Sequence, residues 1–299
     1  MNVSQTAKKL SWLTSHPGTR AHPWTLPVRV LQWEWYRMRG TPVFLPLFDF
    51  KIEARPSDGV GRVICYFRER ADVLFTFMKG YLKPGMTFID VGANIGSHTV
   101  YGARLVAARG HVFSVEADPE TFELLQNNVS LNGVANAALF NQCLSDQPGL
   151  VTFNINPDSA RSSLLRKGTS QKQLPATILD TLIPSMTQID LLKIDVEGAD
   201  YLVLGGARRI FDETPPRVVV IEVSSRAREI KEFLLSHGYR LYQFDGDRSA
   251  FVEVDWPVFN TYAVLDCTQP EFANFSFLPL PQRARFTPSS AGDSVQAIS

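Results

Sequence analysis

The sequence predicts a doubly wound α/β fold around a mostly parallel sheet, and three observations predict it. Short runs that are apolar almost throughout, such as TFIDV (87–91), HVFSVEAD (111–118) and RVVVIEV (217–223), recur along the chain. Helix-length amphipathic segments separate them. Strands apolar on both faces need helices on both sides of the sheet, and right-handed crossovers then leave few possible connections. With 299 residues, the default is one large domain with extensions.

Each element follows from its pattern. TFIDV is a strand, and SHTVYGARLVAARG (97–110) is the helix after it, with Gly110 as the expected C-cap. After HVFSVEAD, PETFELLQNNVSLNG (119–133) reads as a helix with Pro119 in its first turn and Gly133 closing it. AALFNQCLS (137–145), VTFNI (151–155), IDLLKIDV (189–196) and RVVVIEV are further strands. ADYLVLGGARRIFDE and RAREIKEFLLSHG are helices, and YRLYQFDG is a late strand. Residues 1–45 form an extension holding one amphipathic segment, LPVRVLQWEWYRMRG, which fits either a helix packing its Trp face on the domain or a membrane-surface or partner-binding helix. The main domain is expected over 46–267, and 268–299 as a largely disordered tail.

Composition excludes several classes. A formal net charge of zero and a pI near 7 give no global footprint for nucleic acid. Cys65, Cys143 and Cys267 are far apart and form no C-x-x-C pair, so reduced thiols in a cytoplasmic protein are expected, without a zinc site or disulfide framework. No stretch approaches the length of a membrane span.

The richest motif is TFIDVGANIGSHTV (87–100). Its loop joins a strand to a helix at the carboxyl edge of the sheet, where ligands of such folds collect. Gly92 and Gly96 are expected to clear side-chain bulk from the backbone, and the helix start to receive an anionic group. D-x-G-x-x-x-G departs from the G-x-G-x-x-G of nicotinamide sites. An acid, Asp90, before the turn suits an ammonium, and the turn suits a carboxylate. S-adenosylmethionine carries both groups. Glu116, ending the second strand twenty residues past Gly96, stands where a carboxylate accepts from both ribose hydroxyls.

These motifs, with LSDQPGLVTF, the serine pair of ARSSLL, TILDTL and above all LLKIDVEGAD, resemble the FkbM family of class I S-adenosylmethionine-dependent methyltransferases over residues 50–245. The resemblance implies a Rossmann-like sheet and methyl transfer, commonly to oxygen atoms of small metabolites or sugars. Asp200 stands where the family often has glutamate.

Chemistry is expected at LLKIDVEGAD. Lys193, Asp195 and Glu197 alternate with apolar residues and so share one face while the strand lasts. Methyl transfer to a hydroxyl is an in-line displacement that depends on positioning. Asp195 or Glu197 is the expected general base or substrate orienter, and Lys193 either lowers a neighbouring pKa, stabilises an alkoxide or neutralises Asp195 in an ion pair. Asn94 and Ser97 are candidate contacts to the methionine portion, and Asp146 to the adenine amino group or as a turn residue. His98 reads as a solvated or helix-capping residue before a base. Glu222 is a further candidate for substrate contact, and Arg161, Arg166 and Lys167 around Ser162 and Ser163 for an anionic substrate. A metal-assisted route would start from Asp195, but Glu222-Val223-Ser224 replaces the Asp-Asn pair it needs, so no metal is assigned. The acceptor is expected to be a small molecule or saccharide, with no nucleic-acid partner. The alternatives are a non-catalytic cofactor-binding module, or an N- or nucleic-acid methyltransferase of the same fold.

Overall fold

A nine-stranded sheet organises the chain, and five adjacent strands at one side of it, out to one edge, are parallel. The computed structural model describes residues 13, 14, 16–21, 23–155, 164 and 170–279. The cluster Arg161, Ser162, Ser163, Arg166 and Lys167, and the polar end from 280, lie outside the described residues.

The first part holds α1 (Pro17–Ala21), α2 (Thr25–Arg39), the hairpin β1 (Val43–Leu47) and β2 (Phe50–Ala54), α3 (Gly59–Phe67) and α4 (Val73–Tyr81). The alternating unit follows as β3 (Thr87–Val91), α5 (Ser97–Val106), β4 (His111–Glu116), α6 (Pro119–Leu131) and β5 (Ala137–Asn141). A separate three-stranded sheet comprises β6 (Cys143–Leu144), β7 (Gly149–Ile155) and β8 (Ser170–Thr177). The chain returns through α7 (Leu179–Leu182), β9 (Leu191–Ile194), α8 (Asp200–Gly205), α9 (Arg208–Glu213), β10 (Val218–Glu222) and α10 (Ala227–Ser236). It closes with β11 (Arg240–Asp245), β12 (Ala250–Glu253), β13 (Asn260–Val264) and β14 (Ser276–Leu278). Strand order is β14-β12-β11-β13-β10-β9-β3-β4-β5.

Strand periodicity divides the core in two. Along β3, Phe88 enters one hydrophobic cluster while Ile89 and Val91 enter the other; along β9, Leu191 parts from Leu192 and Ile194 in the same way. Asp90 and Lys193 therefore fall on the side of Phe88 and Leu191, the side built with α3, α4 and α5. That parity places the polar groups of the site.

The structure corrects several boundaries. The first crossover helix ends at Val106, short of Gly110, because the Asn136 side chain donates to the carbonyls of Ala103, Ala107 and Gly110 and supplies the cap. Residues 137–145 are two strands in different sheets. The single helix expected over 199–213 is two, broken at Gly205 and Gly206, where a side chain at 206 would lie 2.2 Å from the Ser145 carbonyl oxygen. The domain also continues past 267: Phe272 is buried, Phe277 stacks on Phe251 at 4.8 Å, and β14 pairs with β12. Aromatic packing overrides the polar, proline-containing look of that stretch.

The N-terminal region is likewise built into the core. Trp33 on α2 is completely buried against α3, and Asn128 of α6 and Asn132 just past its end bind the backbone of Glu53 and Lys51 on β2. No described helix is long and apolar enough to cross a membrane.

Candidate active site

The carboxyl ends of β3, β4, β9 and β10 open onto one cavity of about 570 Å³, roofed by residues of α3 and α4. That volume is within the range of pockets that take drug-sized ligands.

At its floor, Lys193 crosses from β9 to β3. Its Nζ lies 3.2 Å from the Asp90 carboxylate and 3.4 Å from that of Asp195, and donates to the Gly92 carbonyl at 3.1 Å. Burial opposes the charge on Lys193, but Asp90 and Asp195 outweigh it and hold the ammonium above its ordinary value. Asp90 is fully buried and also accepts from Thr99 Oγ1 at 2.8 Å. The expected contact of Asp90 with a ligand ammonium is therefore corrected: its cation is Lys193, and it does not line the cavity.

Gly92 and Gly96 also take a different explanation from the one expected. A Cβ on Gly92, whose φ is +74°, would sit 1.8 Å from the Asp195 carbonyl oxygen; one on Gly96 would sit 2.6 Å from Leu125 Cδ1. Both glycines admit other parts of this chain, and Gly92 in particular lets the turn after β3 press against the turn after β9. Gly92 lines the cavity and Gly96 does not.

Glu116 links two further loops. One carboxylate oxygen accepts from Asn94 N–H and the other from Asp118 N–H, both at 2.9 Å. Burial raises its pKa to about 7, against the lowering effect of those two amides. Asn94, Ser97 and Glu116 all line the cavity. Asp146 lies outside the lining; it is exposed, accepts from Ser145 Oγ, and packs beside Gly205. Gln142 is the polar side chain that the chain after β5 gives the cavity.

The turn after β9 is held in an uncommon conformation. Glu197 has φ of +56° and is followed by Gly198 at +101°. Asp200 fixes this turn: its two carboxylate oxygens accept from the N–H groups of Val196 and Gly198, each at 3.0 Å. Burial raises the Asp200 pKa to about 7, against those amide bonds. Glu197, despite leaving the strand, stays with Asp195. These two and Glu222 at the end of β10 each place an oxygen within 4.8 Å of the others, a spacing that could hold a divalent cation through hard oxygen ligands. Burial first, and then the carboxylates of Asp195 and Glu197, push Glu222 well above the ordinary carboxyl range. These neighbours favour the protonated form of Glu222.

Across the cavity stands a pair that sequence spacing does not connect. His98 Nε2 lies 3.3 Å from Asp72 Oδ2, and the imidazole rests on Phe75 with ring centroids 4.5 Å apart. Only 13% of the His98 side chain is exposed, which corrects its expected solvated state. Burial works to raise the Asp72 pKa, but His98 and the Leu74 N–H bring it below its ordinary value. The only sequence signal for Asp72 is its place as an acid before a helix, and it serves as the N-cap of α4. Among the predicted residues, Lys193, Asp195, Glu197, Gly92, Asn94, Ser97 and Glu116 line one cavity, joined by Glu222 and His98.

Comparison with known proteins identifies the pattern. A family model described as "Methyltransferase FkbM domain" matches residues 90–241, just over half of the chain. A protein-L-isoaspartate O-methyltransferase of Triticum aestivum is 29% identical over 113 residues, covering 36% of this chain and 46% of its own. The hexuronic acid methyltransferase AglP of Haloferax volcanii is 25% identical over 147 residues, covering 48% and 59%. The chain thus spans about half the length of the curated relatives it matches. A solved S-adenosylmethionine-dependent methyltransferase of Aquifex aeolicus aligns with 65% of this chain and 90% of its own, at 15% identity and a TM-score of 0.39.

Proposed function

Because the chain belongs to the FkbM methyltransferase domain family, we propose that it transfers a methyl group from S-adenosylmethionine to a hydroxyl oxygen of a small-molecule or saccharide acceptor. The observation that carries this is one cavity lined both by Glu116, whose carboxylate is fixed by two backbone amides, and by the clustered carboxylates of Asp195, Glu197 and Glu222. The similarity to a hexuronic acid methyltransferase supports a saccharide acceptor.

The residues present fit the cofactor. Glu116 is a partly buried carboxylate on the cavity wall, fixed by two backbone amides and suited to accept from vicinal ribose hydroxyls. The turn Gly92–Ser97 and the start of α5 suit the carboxylate of the methionine portion. S-adenosylmethionine supplies an electrophilic methyl group. The protein supplies position, and a place for the proton.

That place is the carboxylate cluster. Lys193 is the buried cation beside Asp195 and is shared with Asp90, while three acids gather there, so the cluster relieves part of its negative charge by favouring a proton on Glu222. The Glu222 carboxyl hydrogen-bonds Asp195 and so holds that acid in place beside the acceptor. Asp195 or Glu197 would take the proton of the acceptor hydroxyl; S-adenosylmethionine, when bound, would supply the methyl group through cleavage of its sulfonium C–S bond and leave as the neutral thioether. Asp200 and Lys193 act through these acids, one holding their turn and the other the strand end beneath it.

The test is Asp195→Asn and Glu197→Gln, with turnover on saccharide and small hydroxyl acceptors measured separately from cofactor affinity. At least one variant loses turnover by about a hundredfold or more while cofactor affinity is retained. Unchanged turnover in both would remove the assigned proton acceptor.

A further inference from the structure

Helix α2 (Thr25–Arg39), with Trp24 at its N-cap, has two apolar faces, and the core uses only one. Trp33 is fully buried, and a side chain on Gly61 of α3 would come within 3.3 Å of its ring. The opposite face carries Trp24, Val28, Leu31, Trp35 and Met38, exposed by 90%, 65%, 71%, 48% and 80%. Their alternating spacing of four and three residues keeps them within about 40° of one line on the helix. Trp33 lies about 180° from that line. Burial of Trp33 therefore fixes the helix with the other five side chains turned to solvent.

Charge indicates what covers this face. The first forty residues contain six Lys and Arg, namely Lys8, Lys9, Arg20, Arg29, Arg37 and Arg39, and one acid, Glu34, in a chain whose formal net charge is zero. Glu34 is itself paired with Arg37 at 2.7 Å, and the Arg39 guanidinium lies 4.5 Å over the Trp35 ring. An exposed stripe with tryptophans at two of its positions and Arg39 beside it, on a segment with an excess of basic residues, matches the chemistry of a helix lying in the headgroup region of an anionic bilayer. A second copy of the chain is a poorer fit. The stripe is about 21 Å long and about one helix wide, or roughly 200 Å², against about 800 Å² per partner in a stable pair.

We propose that the Trp24–Met38 face of α2 docks on the surface of an anionic lipid bilayer, with the helix axis in the membrane plane. Docking brings the cavity close to the bilayer, since α2 packs on α3 and α3 supplies Gly59, Val60, Arg62, Val63 and Ile64 to the cavity wall.

The test is co-sedimentation of the full chain with vesicles of phosphatidylcholine alone and of phosphatidylcholine with about one third phosphatidylglycerol. The chain binds the anionic vesicles at least about tenfold more tightly than the neutral ones. Leu31→Glu with Trp35→Glu lowers that binding by about tenfold or more without changing the thermal midpoint or the sedimentation coefficient in solution. Arg37→Glu with Arg39→Glu leaves the apolar stripe intact and weakens binding to the anionic vesicles alone. The proposal is overturned if the chain stays in the supernatant with both vesicle types, or if neither double variant binds less. It is also overturned if sedimentation shows a dimer that Leu31→Glu with Trp35→Glu disperses, because the face would then belong to a second copy.

Discussion

Replacing Lys193 with methionine separates a structural cation from a catalytic one. Asp90 has no exposure to solvent, and Lys193 is its ion-pair partner at 3.2 Å. Methionine preserves most of the side-chain volume but leaves the buried Asp90 carboxylate with the Thr99 hydroxyl as donor and without the Lys193 ammonium beside it. Removing one member of a buried pair costs about 3–5 kcal/mol, about a fifth or more of the stability of an ordinary domain. Asp195 keeps 36% of its side chain exposed, so water solvates it and it adds little to that cost. The double variant Asp90→Asn, Lys193→Met removes both charges and retains an acceptor for Thr99; it recovers most of the loss, to within about 1–2 kcal/mol of the parent. Urea unfolding of the two variants beside the parent measures both numbers. A loss below about 1 kcal/mol for Lys193→Met, or no recovery in the double variant, would refute the assignment of Lys193 as the partner of Asp90.

Three other perturbations follow from the same geometry. Glu116 ionises near pH 7 in the free protein, above its ordinary 4.5, and only the ionised form accepts from two hydroxyls; affinity for the cofactor therefore falls about tenfold between about pH 8 and about pH 6, as titration calorimetry across that window measures. The sign for stability is the reverse, since a carboxyl raised by folding contributes most below its unfolded pKa, and that contribution fades as pH rises through about 7. Gly92→Ala meets both a left-handed φ and the Asp195 carbonyl, so it costs about 2 kcal/mol or more in thermal or urea unfolding and displaces the acid-bearing turn, with turnover falling along with cofactor affinity. Phe272→Ala, in the stretch that looks like a tail in the sequence, costs about 3–5 kcal/mol by urea unfolding, where a disordered position would cost almost nothing.

The parallel core was legible because its strands are buried on both faces and read as uninterrupted apolar runs, while the crossover helices carry proline or polar residues at their starts. The late and peripheral elements were less so. β14 is three residues long and is held by stacking of Phe277 on Phe251, a contact between residues 26 positions apart that no local pattern records. The helix break at Gly205 and Gly206 is set by the chain around Ser145, again a tertiary fact. At the site, the acids of LLKIDVEGAD were readable from alternation on one strand. The raised pKa of Glu222 was not, because it arises from burial and from crowding by two carboxylates of another strand end. Asp72 and His98 were missed as a pair for the same reason: each looks like a helix-start residue, and only the packing of α4 on α5 makes them neighbours. At Gly92 the motif marks a constrained position, but what its missing side chain admits is the Asp195 backbone.

The central claim is that Glu116 and the turn after β3 hold S-adenosylmethionine at the edge of the sheet. Isothermal titration of the purified chain with S-adenosylmethionine and its demethylated product, repeated on Glu116→Gln, tests it most directly. The parent binds both compounds one to one, and the variant, with a neutral amide facing the ribose, binds each about tenfold or more weakly. An absence of heat with either compound in the parent, or equal affinity in the variant, would contradict it.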